Sequence, residues 1–391
     1  MSFELGINYW PRKSAMYMWE EFDLGEVRED MAHIADMGFE VVRMFTRTKD
    51  FLPTPSTVDA TMVQRLVKVV QAAADAGLMV VPTVIILNMS GSIWWPSWML
   101  DAAGKPRDIF SDPAMLRAQA LLAQTLAREL AGNVALRGFD LANEIDDAQF
   151  PQSREAAAGW ASLLATTIRT AAPGAQIRLG MHLPSLTTDN NVRVDDVATI
   201  TDEDVMHTYP LYSNFARTPL DSELAPFSLA LTAGLSGAGR RPLMQEFGAC
   251  TAPPGDPGCM ITDNFLGEMK PQYLASEQEQ AAYYETVLER LLQTGAAGAY
   301  AWCYADYVPR LFDRPPLATA IRERTFGLVR PDRSEKPAAD VFRRFSERRI
   351  KGTLVQGAVP RVLDVSADEY YRTPEKHFGR LYSKWVAQAA S

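Results

Sequence analysis

The chain has 391 residues, 47% of them hydrophobic, enough to bury a large core as one big domain or two ordinary ones. Its net charge of −9 includes no long run of one sign, which argues against the basic face of a nucleic-acid binder. Three cysteines, Cys250, Cys259 and Cys303, are too few for a disulfide scaffold and form no CxxC metal pattern.

The first residues, MSFELGINYWPRK, lack the apolar segment of a signal peptide, and no run of about 18 apolar residues exists. These features predict a cytoplasmic protein with no membrane partner. The first predicted strand, LGINYW, ends near Asn8, Tyr9 and Trp10. One pattern then recurs: an amphipathic helix, a glycine, a short apolar strand. EVREDMAHIADMG leads into FEVVRMF, which holds Arg43, and TMVQRLVKVVQAAADAG leads into LMVVPTVII, which closes at Asn88. PAMLRAQALLAQTLARELAG leads into LRGFDLANE, ending at Asn143 and Glu144. GWASLLATTIRTAAPG leads into QIRLGMH, ending at His182. DVMHTYP carries His207 and Tyr209, PLMQEFG carries Glu246, and AYYETVLERLLQTG leads into AAGAYAWCY with Trp302. Gly38, Gly77 and Gly132 are predicted left-handed helix caps. Asp112 before Pro113 starts one helix, and Ser276 with Glu279 forms a capping box for another.

Continuous apolar strands alternating with helices predict a parallel sheet covered on its outer face. Eight of them predict an α/β fold of the closed (β/α)8 TIM-barrel type over residues 1–349. A doubly wound open sheet is the rival, but no GxGxxG turn follows the first strand. Residues 350–391 fit no ninth unit and are expected to pack on the barrel as a C-terminal extension. The loop CTAPPGDPGC would let Cys250 and Cys259 pair under oxidising conditions; two free thiols are the plainer expectation.

Chemistry in such barrels collects where strands end, because the following loops converge there. Glu144 and Glu246 close the fourth and seventh strands and so face each other across the barrel mouth. Glycoside hydrolysis needs two carboxyl groups, one to protonate the leaving oxygen and one to attack or to activate water. An NE dipeptide alone is weak; NE closing strand four together with QEFG closing strand seven is far more specific. Asn143 is expected to hydrogen-bond a sugar 2-hydroxyl. Four histidines, two of them away from strand ends, suggest no metal site and no cofactor. His182 reads as mainly structural.

Over roughly residues 3 to 345 the sequence resembles clan A glycoside hydrolases, most closely glycoside hydrolase family 5. The resemblance implies Glu144 as acid/base, Glu246 as nucleophile, and Arg43, His207, Tyr209 and Trp302 as supporting residues. It also implies retaining chemistry. Many members carry histidine at the end of the third strand, where this chain has Asn88, a departure that weakens an endo-cellulase assignment. Arg43 beside Glu246 is expected to hold that group ionised. Glu144, with no evident cation nearby, is expected to have a raised pKa.

Aromatic residues crowd two predicted loops, and Trp10 and Trp95 are candidates to stack on sugar rings. The run from GINYWPRK through SGSIWWPSWM loosely resembles the β-mannosidase-like branch of the family. The expected partner is thus a glycoside or short β-linked oligosaccharide, cleaved in exo fashion. An endo-acting mannanase or glucanase, a transglycosylase and a non-catalytic carbohydrate-binding barrel remain open. The sequence sets no oligomeric state.

Overall fold

A computed structural model describes residues 3–265 and 267–389 of the chain. Eight parallel strands form one sheet: β1 (Glu4–Asn8), β2 (Val41–Arg47), β3 (Met79–Ile86), β4 (Gly138–Asn143), β5 (Gln176–Gly180), β6 (Val205–His207), β7 (Leu243–Phe247) and β8 (Gly298–Ala301). Their order is β5-β4-β3-β2-β1-β8-β7-β6. The ends of that order meet. His207 donates its backbone N–H to Met181 at 2.8 Å, and Leu183 donates to His207 at 3.1 Å. The sheet is therefore closed into the predicted (β/α)8 barrel. Each predicted apolar run holds one strand, shortened at its ends to the residues that pair.

The helices begin and stop for local reasons. Asp23, Asp59 and Ser153 accept backbone N–H bonds at the starts of α1 (Leu24–Asp36), α2 (Ala60–Asp75) and α4 (Arg154–Ala171). Asp112 caps α3 (Pro113–Leu130), with Pro113 supplying a fixed φ where no N–H partner is needed. One short turn, α5 (Val194–Ala198), and then α6 (Leu224–Ser236) flank β6. Ser276 and Glu279 form the reciprocal capping box of α7 (Glu277–Gln293). The helix α8 (Pro337–Ile350) packs beside α7. Gly38, Gly77 and Gly132 adopt φ of +87°, +77° and +75°, the left-handed stop that glycine permits.

The segment between β7 and α7 is not the plain loop that the sequence suggests. Cys259–Phe265 and Glu268–Leu274 pair as an antiparallel hairpin. Half of its side chains are exposed and only Asp263, Gln272 and Leu274 are buried, so it lacks the alternation that marks a half-buried strand. Cys250 is buried, Cys259 is exposed, and both are free thiols.

The helix α6 is apolar almost all round, and such a helix must be covered on every side. The cover is the end of the chain, α9 (Ala367–Arg372) and α10 (Pro374–Ala389). Phe227 of α6 packs on Phe378 and Tyr382 of α10, with ring centroids 5.1 and 5.0 Å apart.

Side chains fill the barrel from its lower end. Val41, Val81, Val205, Leu243 and Tyr300 form a buried cluster, each contributing about 1.5–3 kcal/mol on leaving water. Arg178 donates to the Tyr300 hydroxyl at 3.1 Å, and that hydroxyl donates to Glu4. Gly6 of β1 makes room for the Tyr300 ring: a Cβ there would lie 2.3 Å from Cδ1. Gly6→Ala is therefore expected to lower unfolding stability by about 1–3 kcal/mol. Gly159→Ala, in open space on α4, is expected to raise it by about 0.5–1 kcal/mol. Urea unfolding of the two variants beside the wild type checks both signs.

Candidate active site

One fully buried cation organises the upper barrel. Arg43, in the middle of β2, has no exposed surface. Its Nε and Nη2 donate to Asp140 Oδ2 of β4 at 2.9 and 2.7 Å. Nη2 also donates to Asn143 Oδ1 at 2.9 Å, and Nη1 donates to Asn8 Oδ1 at 3.0 Å and to Glu246 Oε1. Burying an ion costs several kcal/mol unless opposite charges and hydrogen bonds replace its water. Here two carboxylates and two amides replace it. Asp140 is held in turn by Thr83 Oγ1 at 3.0 Å and by the Gly180 N–H at 2.8 Å. Gly180 must be glycine for steric reasons, since a Cβ would lie 2.8 Å from Ala142 O and 3.1 Å from both Arg43 Nη2 and His207 Cε1.

The two glutamates meet above this platform. Glu246, near the end of β7, accepts from Tyr209 Oη at 2.8 Å. Burial and the Glu246 charge push the Tyr209 phenol pKa well up, so it stays a donor. His207 Nδ1 lies 2.8 Å from Glu144 Oε1 and 3.5 Å from Glu246 Oε1. An oxygen of each glutamate and a His207 ring nitrogen fall within 4.8 Å of one another. Carboxyl groups about 5–5.5 Å apart suit a double displacement, whereas inversion needs about 6.5–9.5 Å for an intervening water. Glu144 stands one residue past β4 with φ +42° and ψ +53°. That left-handed conformation costs a non-glycine residue about 1–2 kcal/mol, a strain located at a cleft carboxylate.

The surroundings of Glu144 overturn one expectation from the sequence. A cation does stand beside it: His182 Nδ1 is 3.8 Å from Oε2, and His207 Nδ1 is within hydrogen-bond distance of Oε1. Burial pushes the Glu144 carboxyl up, but His182, the His207 hydrogen bond and Arg43 outweigh it and hold the group below the usual carboxylate range. His182 is more than a packed histidine. Its Nε2 is 2.7 Å from Asp146 Oδ2, which also accepts from Asn190 at 2.6 Å, and it is 3.8 Å from Asp147. Burial opposes charge on His182, yet Asp146, Asp147 and Glu144 raise its pKa well above 6.5. Asp147 is pushed up to about 7 by burial and by the charges of Glu144 and Asp146, against the opposing pull of His182. Asn88 Nδ2 donates to Asp147 at 3.0 Å and reaches Glu144 at 3.5 Å. Glu144, Asp147 and His182, like Glu144, His207 and Glu246, have the spacing to hold a cation.

A cleft of about 410 Å³ opens over the pair. Asn88, Asn143, His207, Tyr209 and Trp302 line it, as the sequence suggests. Trp10 does not: it is fully buried, stacked on Phe45 at 5.3 Å, with Nε1 directed at Met89 Sδ. Trp95 is half-buried and also lies outside the lining. Neighbouring loop aromatics serve packing, with Arg47 over the Trp94 ring at 4.6 Å and Trp98 Nε1 bonded to Leu52 O at 2.8 Å. The aromatic walls come instead from Tyr209, Tyr212, Phe215, Phe265 and Trp302. The hairpin after β7 contributes Phe265 to the cleft wall. Buried Arg322 joins Asp263 at 2.9 Å and Tyr212 Oη at 3.0 Å, while Tyr212 stacks on Phe265 at 5.0 Å.

A raised imidazole pKa stabilises the fold in full below the unfolded value of about 6.5, and the contribution is lost as pH rises through the folded value. The stability gap between wild type and His182→Gln is therefore expected to be widest near pH 6 and to shrink at alkaline pH. Urea unfolding across that range reads the trend, and a gap that widens with pH would contradict it.

Comparison with known proteins agrees with this geometry. A family model described as Cellulase (glycosyl hydrolase family 5) matches residues 10–258. No curated protein matches the chain. Among solved structures, a GH5_18 protein from Streptomyces cattleya, in complex with GlcNAc, is 23% identical, with a TM-score of 0.84 over 100% of this chain and 92% of that one. The exo-β-1,4-mannosidase Op5Man5 from Opitutaceae bacterium strain TAV5 is 27% identical, with a TM-score of 0.74 over 90% of this chain and 60% of that one. An endo-β-1,4-mannanase from Thermotoga petrophila is 14% identical, with a TM-score of 0.62 over 90% of this chain and 78% of that one. The family match covers more than half of the chain, which therefore belongs to glycoside hydrolase family 5 and is a retaining glycoside hydrolase.

Proposed function

We propose that the protein is an exo-acting β-mannosidase that removes a terminal mannose from short β-linked oligosaccharides, with Glu246 as nucleophile and Glu144 as acid/base. The observation that carries the roles is the shared His207: one imidazole nitrogen lies within 3.5 Å of both carboxylates, while Arg43 bonds Glu246 alone. In the first step Glu246 attacks the anomeric carbon, and the leaving oxygen takes a proton from Glu144. Gln245 Oε1 lies 3.2 Å from His207 Nε2 and can only accept, so that nitrogen carries hydrogen. The 2.8 Å contact between Nδ1 and Glu144 Oε1 then holds one proton, whether as imidazolium with carboxylate or as imidazole with carboxylic acid. The leaving oxygen draws that proton through Glu144. Once Glu246 is glycosylated its charge is gone. His182 and Arg43 then favour Glu144 as the carboxylate, which is the base that activates water. Asn143 and Trp302 hold the sugar being cleaved, one by its 2-hydroxyl and the other by its apolar face.

Exo action is supported by the wall of Phe265, Tyr212 and Arg322 on the nucleophile side, where further sugars of a chain would have to lie. Mannose is supported by the solved neighbours: one is named an exo-β-1,4-mannosidase, and a variant of the Streptomyces cattleya protein was solved with Manβ1-4GlcNAc. A panel of 4-nitrophenyl β-glycosides tests the sugar, and cleavage of a glucoside or galactoside in preference to the mannoside would sink that part. Glu246→Ala is expected to lose at least about 10³-fold in kcat. A 2-fluoro mannoside should leave its mass on the peptide carrying Glu246; label on another acidic residue refutes the nucleophile. Glu144→Ala is expected to lose about 10²–10⁴-fold on the disaccharide. Its loss on the 4-nitrophenyl substrate should be much smaller, because that leaving group needs little proton assistance. Both losses are read in kcat/KM, which leaves out the second step where Glu144 acts as base; equal losses there would refute the acid role.

A further inference from the structure

Beyond the catalytic pair, the geometry points to the C-terminal helix α10 as one wall of the site for the leaving sugar, with Glu375 as a residue that determines which leaving sugar is accepted. This inference rests on the assignment of Glu144 as the acid. That group must stand beside the leaving oxygen, so the sugar beyond it lies over the loops that follow β5 and β6. His182, at the start of the β5 loop, is 3.8 Å from Glu144. Thr187 and Thr188 of that loop and Asn214 and Phe215 of the β6 loop line the cleft, and so does Glu375 from the first turn of α10.

The end of the chain holds both loops in place. Tyr370 Oη donates to Leu186 O at 2.6 Å, and Tyr371 Oη donates to Ser185 O at 3.2 Å. Phe215 packs on Phe378 with centroids 4.8 Å apart, and Gly379 leaves space for its ring, since a Cβ would lie 3.2 Å from Phe215 Cε1. Below the cleft Tyr382 Oη bonds Asp221 at 2.7 Å, and Trp385 Nε1 bonds Glu223 at 2.8 Å. The position of Glu375 is thus fixed by a docked helix.

Glu375 itself makes no hydrogen bond or ion pair among the described residues. Other acids on these last helices do pair, as Asp364 does with Arg380 and Lys384. An ionised carboxylate only accepts hydrogen bonds. It therefore suits a partner rich in O–H or N–H donors, such as the hydroxyls or 2-acetamido N–H of a leaving sugar. The Phe215 ring, which lines the same cleft, offers that sugar an apolar face. An aryl leaving group has no such donors.

The test compares two substrates that share the sugar to be cleaved and differ in the leaving group: the 4-nitrophenyl β-mannoside and Manβ1-4GlcNAc. The quantity read is the ratio of kcat/KM on the disaccharide to that on the aryl glycoside. Glu375→Ala is expected to lower that ratio about five- to tenfold, mostly through KM on the disaccharide. Glu375→Gln, which restores an acceptor, should recover part of it. Lys376→Gln, at the next position and outside the cleft lining, should leave the ratio at the wild-type value. A ratio unchanged by Glu375→Ala, or equal losses on both substrates, overturns the inference while the β-mannosidase reading stands. If the wild type cleaves neither mannoside, the mannosidase reading falls instead, and the same comparison with the sugar that the aryl panel identifies decides the role of Glu375.

Discussion

A guanidinium with no access to water sits at the centre of this molecule. Arg43 bonds Asp140 below and Glu246 above, with Asn8 and Asn143 on either side. Every one of those partners comes from a different strand or from the far end of one, so the cation is satisfied only when β1, β2, β4 and β7 are in register. The ion at once enforces closure of the ring and fixes the orientation of a glutamate. The interaction that fixes the barrel's geometry is therefore the one that orients Glu246, and Gly180 is the space that lets both occur.

The second glutamate is governed differently. It stands outside the last pairing residue of β4, in a strained left-handed conformation, and is held by imidazoles and not by the arginine alone. The two acids therefore feel different neighbours although they share one cleft. The arginine bonds Glu246, whereas Glu144 is bonded by His207 and faces His182. Under the proposed roles, the low carboxyl pKa of Glu144 favours the base of the second half of the cycle.

The barrel and its carboxylate pair were legible in the sequence because both follow from short-range pattern. Apolar runs between capped helices announce the strands, and a parallel ring brings all strand ends to one rim. What the sequence hid was tertiary. His182 carried no mark beyond its strand-end position. Its charge depends on Asp146, Asp147 and Glu144, which the fold brings around it. Trp10 is a candidate sugar platform in the sequence but is consumed in packing against Phe45, with its ring N–H turned to Met89. One aromatic of the cleft wall, Phe265, comes from a hairpin that buries only three side chains and so shows no alternation. One readable signal went unused. The segment LAPFSLALTAGLS is apolar on all faces, and a helix of that kind implies a cover elsewhere in the chain.

That cover ties the catalytic ring to its own tail. A shorter gene product stopping after α8 would leave the outer face of α6 and the Phe227 ring wetted, an oily stripe inviting self-association. The portable unit for domain shuffling, fusion or protein engineering is accordingly the whole chain through Trp385, and a boundary drawn where the eight-fold repeat ends would cut through a watertight seal.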